Sequence, residues 1–327
     1  MEIVKALLIE KTGGPEVLKQ INKNVGNPKE GEVLIRHKVI GLNRYDLECR
    51  KGIRKLAKFP VILGREATGV VEKVSTTGNN NFRVGDRVVY CTAPFGAYCE
   101  RRIIDQKYLI KIPDDISDEV AAAVLFKGMA AHYLLYRAYR ALPGAFLLVH
   151  GANGGVGQIL CQWANHMKCK VIGTVSSDDK RKIAMHNSCQ YAINYNDGNF
   201  VEQIMEITNG KGVNAVYDPL GLVTSKISFE SLSIFGVYVS YGQISGAAPN
   251  INLSMLSSRS LFVTGTSMHH YKSNIFEIAL TAMEIFAMVK RGYIRVHINK
   301  RYRFDEIKKA HEDMENSQLS GLNVIVV

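Results

Sequence analysis

The spacing of apolar positions changes character twice along the chain. Short apolar runs separated by turns fill the first third: Val4 to Glu10, the turn Gly13-Gly14-Pro15, then Glu32 to Ile40, Gly69 to Val74 and Arg87 to Tyr90. This pattern predicts a β-rich domain with long, irregular connections. Near Ser117 the pattern becomes helical. Ser117 can cap a helix whose first turn carries Asp118 and Glu119, followed by an alanine-rich apolar segment to about Tyr139. From Ala145 to about Thr266, strand-length apolar runs alternate with helical patterns. The runs are Phe146 to Val149, Lys170 to Val175, Tyr191 to Ile193, Val213 to Tyr217, Val237 to Tyr241 and Leu261 to Thr264. In the first intervening helix, Val156, Ile159, Leu160, Trp163 and Met167 form a core-facing stripe whose role is packing. Alternation of this kind predicts a doubly wound parallel sheet. The chain ends with a helix over 274–290, a strand near Arg295 to Ile298, a helix from Asp305 and a strand from Asn323 to Val327.

Composition supports two cores. The chain has 327 residues, 46% hydrophobic and 22% charged, which suits two ordinary domains better than one. The N-terminus lacks the cationic start, apolar centre and cleavage site of a secretion signal, and no apolar stretch is long enough for a membrane span. Six cysteines, with no Cys-x-x-Cys pair, point to free thiols in a reducing cytoplasm. The net charge of +11 would draw phosphate-bearing partners. Its lysines and arginines are scattered, however, without the aromatic-interleaved stripe of single-strand binders, which argues against a dedicated nucleic-acid protein. The histidines, among them His37, His132, His150 and His166, stand alone, so no metal site is expected.

The chemistry-bearing motif is the turn Gly151-Ala152-Asn153-Gly154-Gly155-Val156-Gly157, which directly follows one strand and opens a helix. Glycines there allow a tight turn and close backbone approach to a pyrophosphate, while the helix N-terminus offers free N–H groups and a favourable dipole. NAD enzymes usually place an acid at the end of the second strand; NADP enzymes avoid it and bring a cation to the 2′-phosphate. Here that strand ends on Ser176 and Ser177, with Lys180, Arg181 and Lys182 nearby, which favours NADPH. Asp178 and Asp179, which come between, are expected to cap the next helix.

With these residues placed, the chain resembles the quinone oxidoreductase branch of the medium-chain dehydrogenase/reductase superfamily, which includes the ζ-crystallin-like quinone reductases. The resemblance spans essentially the whole chain. It rests on Gly13-Gly14-Pro15-Glu16-Val17-Leu18, Gly41-Leu42-Asn43 with Asp46, Gly64 with Glu66-Ala67 and Gly69, Gly85-Asp86-Arg87-Val88 and Gly96-Ala97-Tyr98. Further along it rests on Lys127-Gly128, the glycine turn with Cys161-Gln162-Trp163-Ala164, Ile193-Asn194-Tyr195 and Val216-Tyr217-Asp218 ahead of Gly221. It implies a GroES-like catalytic domain from both chain ends (1–122 and 267–327), a Rossmann NADPH domain (123–266), an active site in the cleft between them and a homodimer. Zinc-dependent relatives carry a cysteine at the position of Asn43 and a histidine at that of Arg65, so the resemblance implies a zinc-independent enzyme.

The resemblance also implies residue roles. Asn43 is expected beside the nicotinamide, with Arg44 to Glu48 along one wall of the acceptor pocket. Gly154, Gly155 and Val156 meet the pyrophosphate, Ser176 and Lys180 the 2′-phosphate, and Tyr195 the adenosine end. Tyr241 and Gly242 lie on the far ribose side, and Thr266 to Met268 at the nicotinamide amide. No catalytic residue is assigned; Asn43, Tyr45 and Lys127 are the cleft candidates, and Tyr133 is expected to face the cleft beside Lys127. Five positions depart from the family pattern: Glu48 and Arg54 stand where tyrosines are common, Pro219 replaces a small hydroxyl residue, Gly265 replaces an arginine, and Ser317 stands near an expected arginine. The acceptor pocket should therefore be more charged than usual. The reading is a quinone reductase, with an enal or enone reductase as the alternative and, from a different class, a nucleic-acid-binding or regulatory protein that keeps the cofactor fold.

Overall fold

The computed structural model describes residues 2–327. Eight strands come first: β1 (Glu2–Ile9), β2 (Lys19–Val25), β3 (Glu32–Gly41), β4 (Val61–Ile62), β5 (Ala67–Val74), β6 (Arg87–Tyr90), β7 (Arg101–Asp105) and β8 (Ile110–Lys111). Between β3 and β4 lies α1 (Arg44–Lys51), and after β8 comes α2 (Asp118–Tyr133). Six strands follow: β9 (Phe146–Val149), β10 (Lys170–Val175), β11 (Tyr191–Asn194), β12 (Val213–Asp218), β13 (Leu232–Ser240) and β14 (Phe262–Gly265). Among them run α3 (Gly155–His166), α4 (Arg181–His186), α5 (Phe200–Ile207), α6 (Ser225–Ser231) and α7 (Leu253–Ser257). The chain closes with α8 (Met268–Tyr271), α9 (Ile275–Lys290), β15 (Ile298–Arg303), α10 (Ile307–Glu315) and β16 (Leu322–Val326).

Two compact units result. One comprises 1–126, 274–290 and 296–327; the other comprises 127–273 and 291–295. Helix α2 contributes to both, since the division falls between Phe126 and Lys127.

In the first unit β3 is the organising strand. It pairs antiparallel with β5 along most of its length, with β7 at Glu32–Arg36 and with β16 at Val39–Gly41. The chain's end thereby joins a sheet begun by its first third, in the order β15-β16-β3-β5-β6-β8. One buried cluster, including Ile35, Ile40, Leu47, Leu63, Val71, Tyr98, Ile307 and Ile325, lies beneath it.

The second unit holds a six-stranded sheet in the order β11-β10-β9-β12-β13-β14, with every pairing parallel. This is the doubly wound order in which the first strand's neighbours run outward on both sides. Helix α3 is buried on nearly every face, from Gly157 to Ala164, so the expected stripe is in fact a core helix. The Ser117 hydroxyl accepts the N–H of Val120, as its capping role requires.

Three local expectations need correction. The helix expected to reach Tyr139 ends at Tyr133 and continues as a π turn over Leu134–Ala138. The strand expected near Arg295 to Ile298 runs instead from Ile298 to Arg303. It sits at a sheet edge and carries Lys300, Arg301 and Arg303, so only Tyr302 is buried and the apolar pattern is too thin to mark it. Asp178 and Asp179 do not cap a helix. Ser177 holds the N-cap position of the short turn Asp178–Lys180, and Asp178 pairs with Arg181 at 2.8 Å.

Candidate functional site

The glycine turn is made by backbone. Strand β9 delivers His150, whose ring nitrogens meet the Thr174 hydroxyl and the Ser228 hydroxyl, each at 2.8 Å. Burial holds the His150 pKa below its ordinary value, so a neutral imidazole ties β9, β10 and α6 together just ahead of the turn. Gly151 then adopts φ +64, a left-handed conformation that a side chain would strain. Gly154 N–H donates to the Gly151 carbonyl at 2.9 Å, and Ala152 N–H to the Thr174 carbonyl at 3.1 Å. A Cβ on Gly157 would overlap the Gly151 carbonyl oxygen and press on the Ala152 Cα, so only glycine lets α3 pack onto its own turn.

Gly154 occupies the N-cap of α3 without any side-chain capping bond, and no acid lies in the helix's first turn. The first amides of a helix have no intrahelical acceptor. Those of Gly155, Val156 and Gly157 therefore form a bare positive helix end, suited to a phosphate. Such a cradle, kept clear by glycine, fits a dinucleotide pyrophosphate.

One strand further, the Lys180 ammonium donates to the Ser176 hydroxyl at 2.9 Å, so the two residues singled out for a 2′-phosphate are together. Arg181 binds both Asp178 and Asp197, at 2.8 and 2.7 Å, which neutralises the acid nearest the end of β10. Tyr195 donates its N–H to the Val175 carbonyl, following β10 at the same end of the sheet.

The remaining expected positions cluster at the ends of β12, β13 and β14. Tyr241 donates its N–H to the Asp218 carbonyl, and burial pushes its phenol well above the ordinary range. A Cβ on Gly242 would lie 2.6 Å from the Pro219 carbonyl oxygen. The Thr266 hydroxyl donates to the Ser240 carbonyl at 3.2 Å and lies 3.3 Å from the Tyr133 hydroxyl, whose ring stacks on Tyr271. Met268 opens α8 half-buried, and Lys127 is buried in α2.

In the first unit Asn43 stands at the N-cap of α1, yet its side chain does not cap it. Instead Nδ2 donates to the Glu66 carboxylate at 2.9 Å and to the Gly41 carbonyl at 3.3 Å. Glu66, fully buried, also accepts the Phe126 N–H at 2.6 Å. Beside this network lies a cluster that sequence reasoning named only in part. The Arg54 and Arg65 guanidiniums stand 4.8 and 5.1 Å from the Tyr45 ring centre, and Arg65 also lies 5.2 Å from that of Phe95. Glu48 binds Arg54 at 2.5 Å. Burial pushes the neighbouring Cys49 thiol up to about 12, leaving it inert as a nucleophile. The part played by His150, Thr174 and Ser228 had no sequence signal beyond a polar residue ending a buried strand.

Comparison with known proteins agrees with this geometry. Residues 29–143 match the alcohol dehydrogenase GroES-like domain and residues 155–284 the zinc-binding dehydrogenase family. A quinone oxidoreductase of Pseudomonas aeruginosa is 37% identical over 96% of this chain and 97% of its own length. A 2-haloacrylate reductase of a Burkholderia species is 38% identical over 99% of both. The crystal structure of the Escherichia coli quinone oxidoreductase complexed with NADPH superposes with a TM-score of 0.94 at 36% identity, covering 99% of this chain and 100% of that one. This chain belongs to the quinone oxidoreductase branch of the medium-chain dehydrogenase/reductase superfamily. Among the described residues of this family member, no group of three or more His, Cys, Asp or Glu side chains could hold a metal ion. No helix among them is long and apolar enough to cross a membrane.

Proposed function

We propose that this chain is an NADPH-dependent quinone reductase that works without zinc. The observation that carries the cofactor half is the bare, glycine-cleared start of α3 together with the Lys180–Ser176 contact one strand away. Gly154, Gly155 and Val156 would hold the pyrophosphate through their backbone, and Ser176 with Lys180 the 2′-phosphate. Tyr195 would meet the adenosine, Tyr241 and Gly242 the far ribose, and Thr266 and Met268 the carboxamide, with Asn43 at the nicotinamide. When bound, NADPH supplies the two reducing equivalents that convert a quinone to a hydroquinone. The protein's own task is to position the acceptor and exclude water. Asn43, locked to Glu66, and Tyr45, packed on Phe95 and Phe126, are rigid enough to shape that wall.

The acceptor half draws on the relatives. Reduction of an activated alkene on the same scaffold would need a proton donor for the α carbon. The Tyr45 hydroxyl, which makes no hydrogen bond among the described residues, is the candidate that reading requires. Consumption of NADPH and NADH across ortho- and para-quinones and enones tests the whole proposal. Quinones should be reduced fastest and with NADPH. An NADH rate tenfold higher would overturn the cofactor assignment, and enone reduction lost in Tyr45→Phe would favour the alkene reading.

Six buried free thiols suit a cytoplasmic protein. We also place homodimer formation on the outer edge of the parallel sheet. Strand β14 has an unpaired side, and Phe262, Ile234 and Phe235 are 59%, 65% and 67% exposed around it. Phe262→Glu should convert the protein to monomer in sedimentation; an unchanged dimer would move the interface elsewhere.

A further inference from the structure

Among the described residues, Arg65 is the guanidinium over the Tyr45 ring that has no carboxylate partner. Arg54 is committed to Glu48 at 2.5 Å, and Arg50 to Glu315 at the same distance. Among the described residues Arg65 forms no ion pair; its single hydrogen bond is to the Thr92 carbonyl at a long 3.4 Å, and its Nε is buried with no acceptor. Two aromatic faces, Tyr45 and Phe95, accept part of its charge. Aromatic faces do not satisfy a planar fork of N–H donors, and a buried donor without an acceptor is costly until something supplies one. Three acids lie in the same region: Glu48, taken by Arg54, Glu66, which accepts from the Asn43 amide and the Phe126 N–H, and Asp46, buried on α1. Among the described residues none of them forms an ion pair with Arg65.

We propose that the wall around Tyr45 is built for an acceptor bearing a negative charge, a carboxylate or sulfonate attached to the electron-poor ring, with Arg65 as its anion-binding group. The proposal rests on the reading of Arg44 to Glu48 as the acceptor wall. It names what that wall selects. A guanidinium meets a carboxylate or sulfonate with paired hydrogen bonds and selects it over an uncharged ring. Glu48 tunes the site: by holding Arg54 it keeps a second cation from the anion, so removing its charge should strengthen binding.

The test uses the full chain saturated with NADP and two probes, a neutral methylated naphthoquinone and a naphthoquinone sulfonate, followed by calorimetry and by initial rates with NADPH. The sulfonate should bind, and should have kcat/KM about tenfold above the neutral probe, the gain expected of one charge-assisted contact. Arg65→Met should lower that ratio by about tenfold, with Arg65→Lys restoring part of it because the charge returns without the fork. Glu48→Gln should raise sulfonate affinity by about threefold, a change opposite in sign that a loss of structure cannot imitate. Equal affinity for the two probes, or equal losses for both in Arg65→Met, would overturn the proposal. If no quinone is turned over, the quinone reductase reading fails, yet calorimetry still decides this one: sulfonate binding abolished by Arg65→Met upholds the anion site, and no sulfonate binding refutes it. If Arg65→Met melts early, Glu48→Gln decides alone, and unchanged sulfonate affinity there counts against the proposal.

Discussion

The glycine turn after β9 and the cluster around Tyr45 are built from opposite materials. The turn offers main-chain amides and excludes side chains: a Cβ at Gly157 has no room, and Gly154 caps α3 with none. The Tyr45 cluster is built mainly from side chains, with Asn43, Arg54, Arg65, Glu66 and Phe95 gathered from four stretches of chain. Backbone sites are imposed by sterics, so their sequence is nearly forced. Side-chain sites are free to vary once the frame is set.

The two units also differ in how they meet acid, and this gives the largest expected effect. In the first unit His37 and His311 are fully buried, and burial lowers both to about 3. His37 is held between the Cys99 carbonyl and Tyr90, and His311 against Tyr98. The folded form keeps both neutral while the unfolded chain takes up protons below about 6.5. Stability is therefore complete above that pH and lost as pH falls toward 3. The slope is about 1.4 kcal/mol per pH unit for each histidine, on the order of 5 kcal/mol for the pair by pH 4.5. In the second unit burial also lowers His150, but the Asp218 charge opposes it. The only tryptophan, Trp163, lies in that unit. On acidification, amide exchange should rise in β3 and α10 before Trp163 fluorescence changes. Simultaneous change in both units would break the contrast.

Gly157→Val comes next. Valine there must displace the Gly151 carbonyl or the whole of α3, and overpacking of this sort costs about 3 kcal/mol. The melting temperature should fall and NADPH binding, read by fluorescence, should weaken by about a hundredfold. A variant that melts and binds normally would show that the turn is not set by steric exclusion. Asn43→Ala is smaller. It removes a donor from the buried Glu66 carboxylate, about 2 kcal/mol for a charged hydrogen bond, and loses nothing as a helix cap because the side chain does not cap α1. A stability change near zero in urea would mean that Glu66 is fully served without Asn43.

The same division explains what could be read in advance. The parallel sheet was legible because its strands carry short apolar runs, although β13 begins at Leu232 and not at the expected Val237, and the turn because glycine spacing has one steric meaning. Strand β15 was misplaced because an edge strand of alternating Lys, Arg and Tyr buries too little to leave a pattern. Asp178 was misread as a cap because capping competes with ion pairing, and Arg181 lay within reach. The pairings of Arg54 with Glu48 and of His150 with Thr174 and Ser228 depend on register between distant segments, which apolar spacing does not encode.

The smallest predicted effect is the one that best separates backbone from side-chain recognition within a single cofactor site. The pyrophosphate cradle cannot tell NADPH from NADH, because both present the same pyrophosphate to the same amides. In the proposed arrangement the Ser176–Lys180 pair, in contact at 2.9 Å, would meet the position where the two cofactors differ. Lys180 is partly exposed, so its charge is screened and its contact with a phosphate contributes about 1.4 kcal/mol, or tenfold. Lys180→Ala should lower the NADPH-to-NADH ratio of kcat/KM by about that factor, mainly through KM, and added salt should shrink the difference in the parent enzyme. A ratio that does not move would transfer the discrimination to Arg181. Asp178 and Asp197 already hold that residue, so the predicted signature of that outcome is tighter NADPH binding when either acid is replaced by its amide.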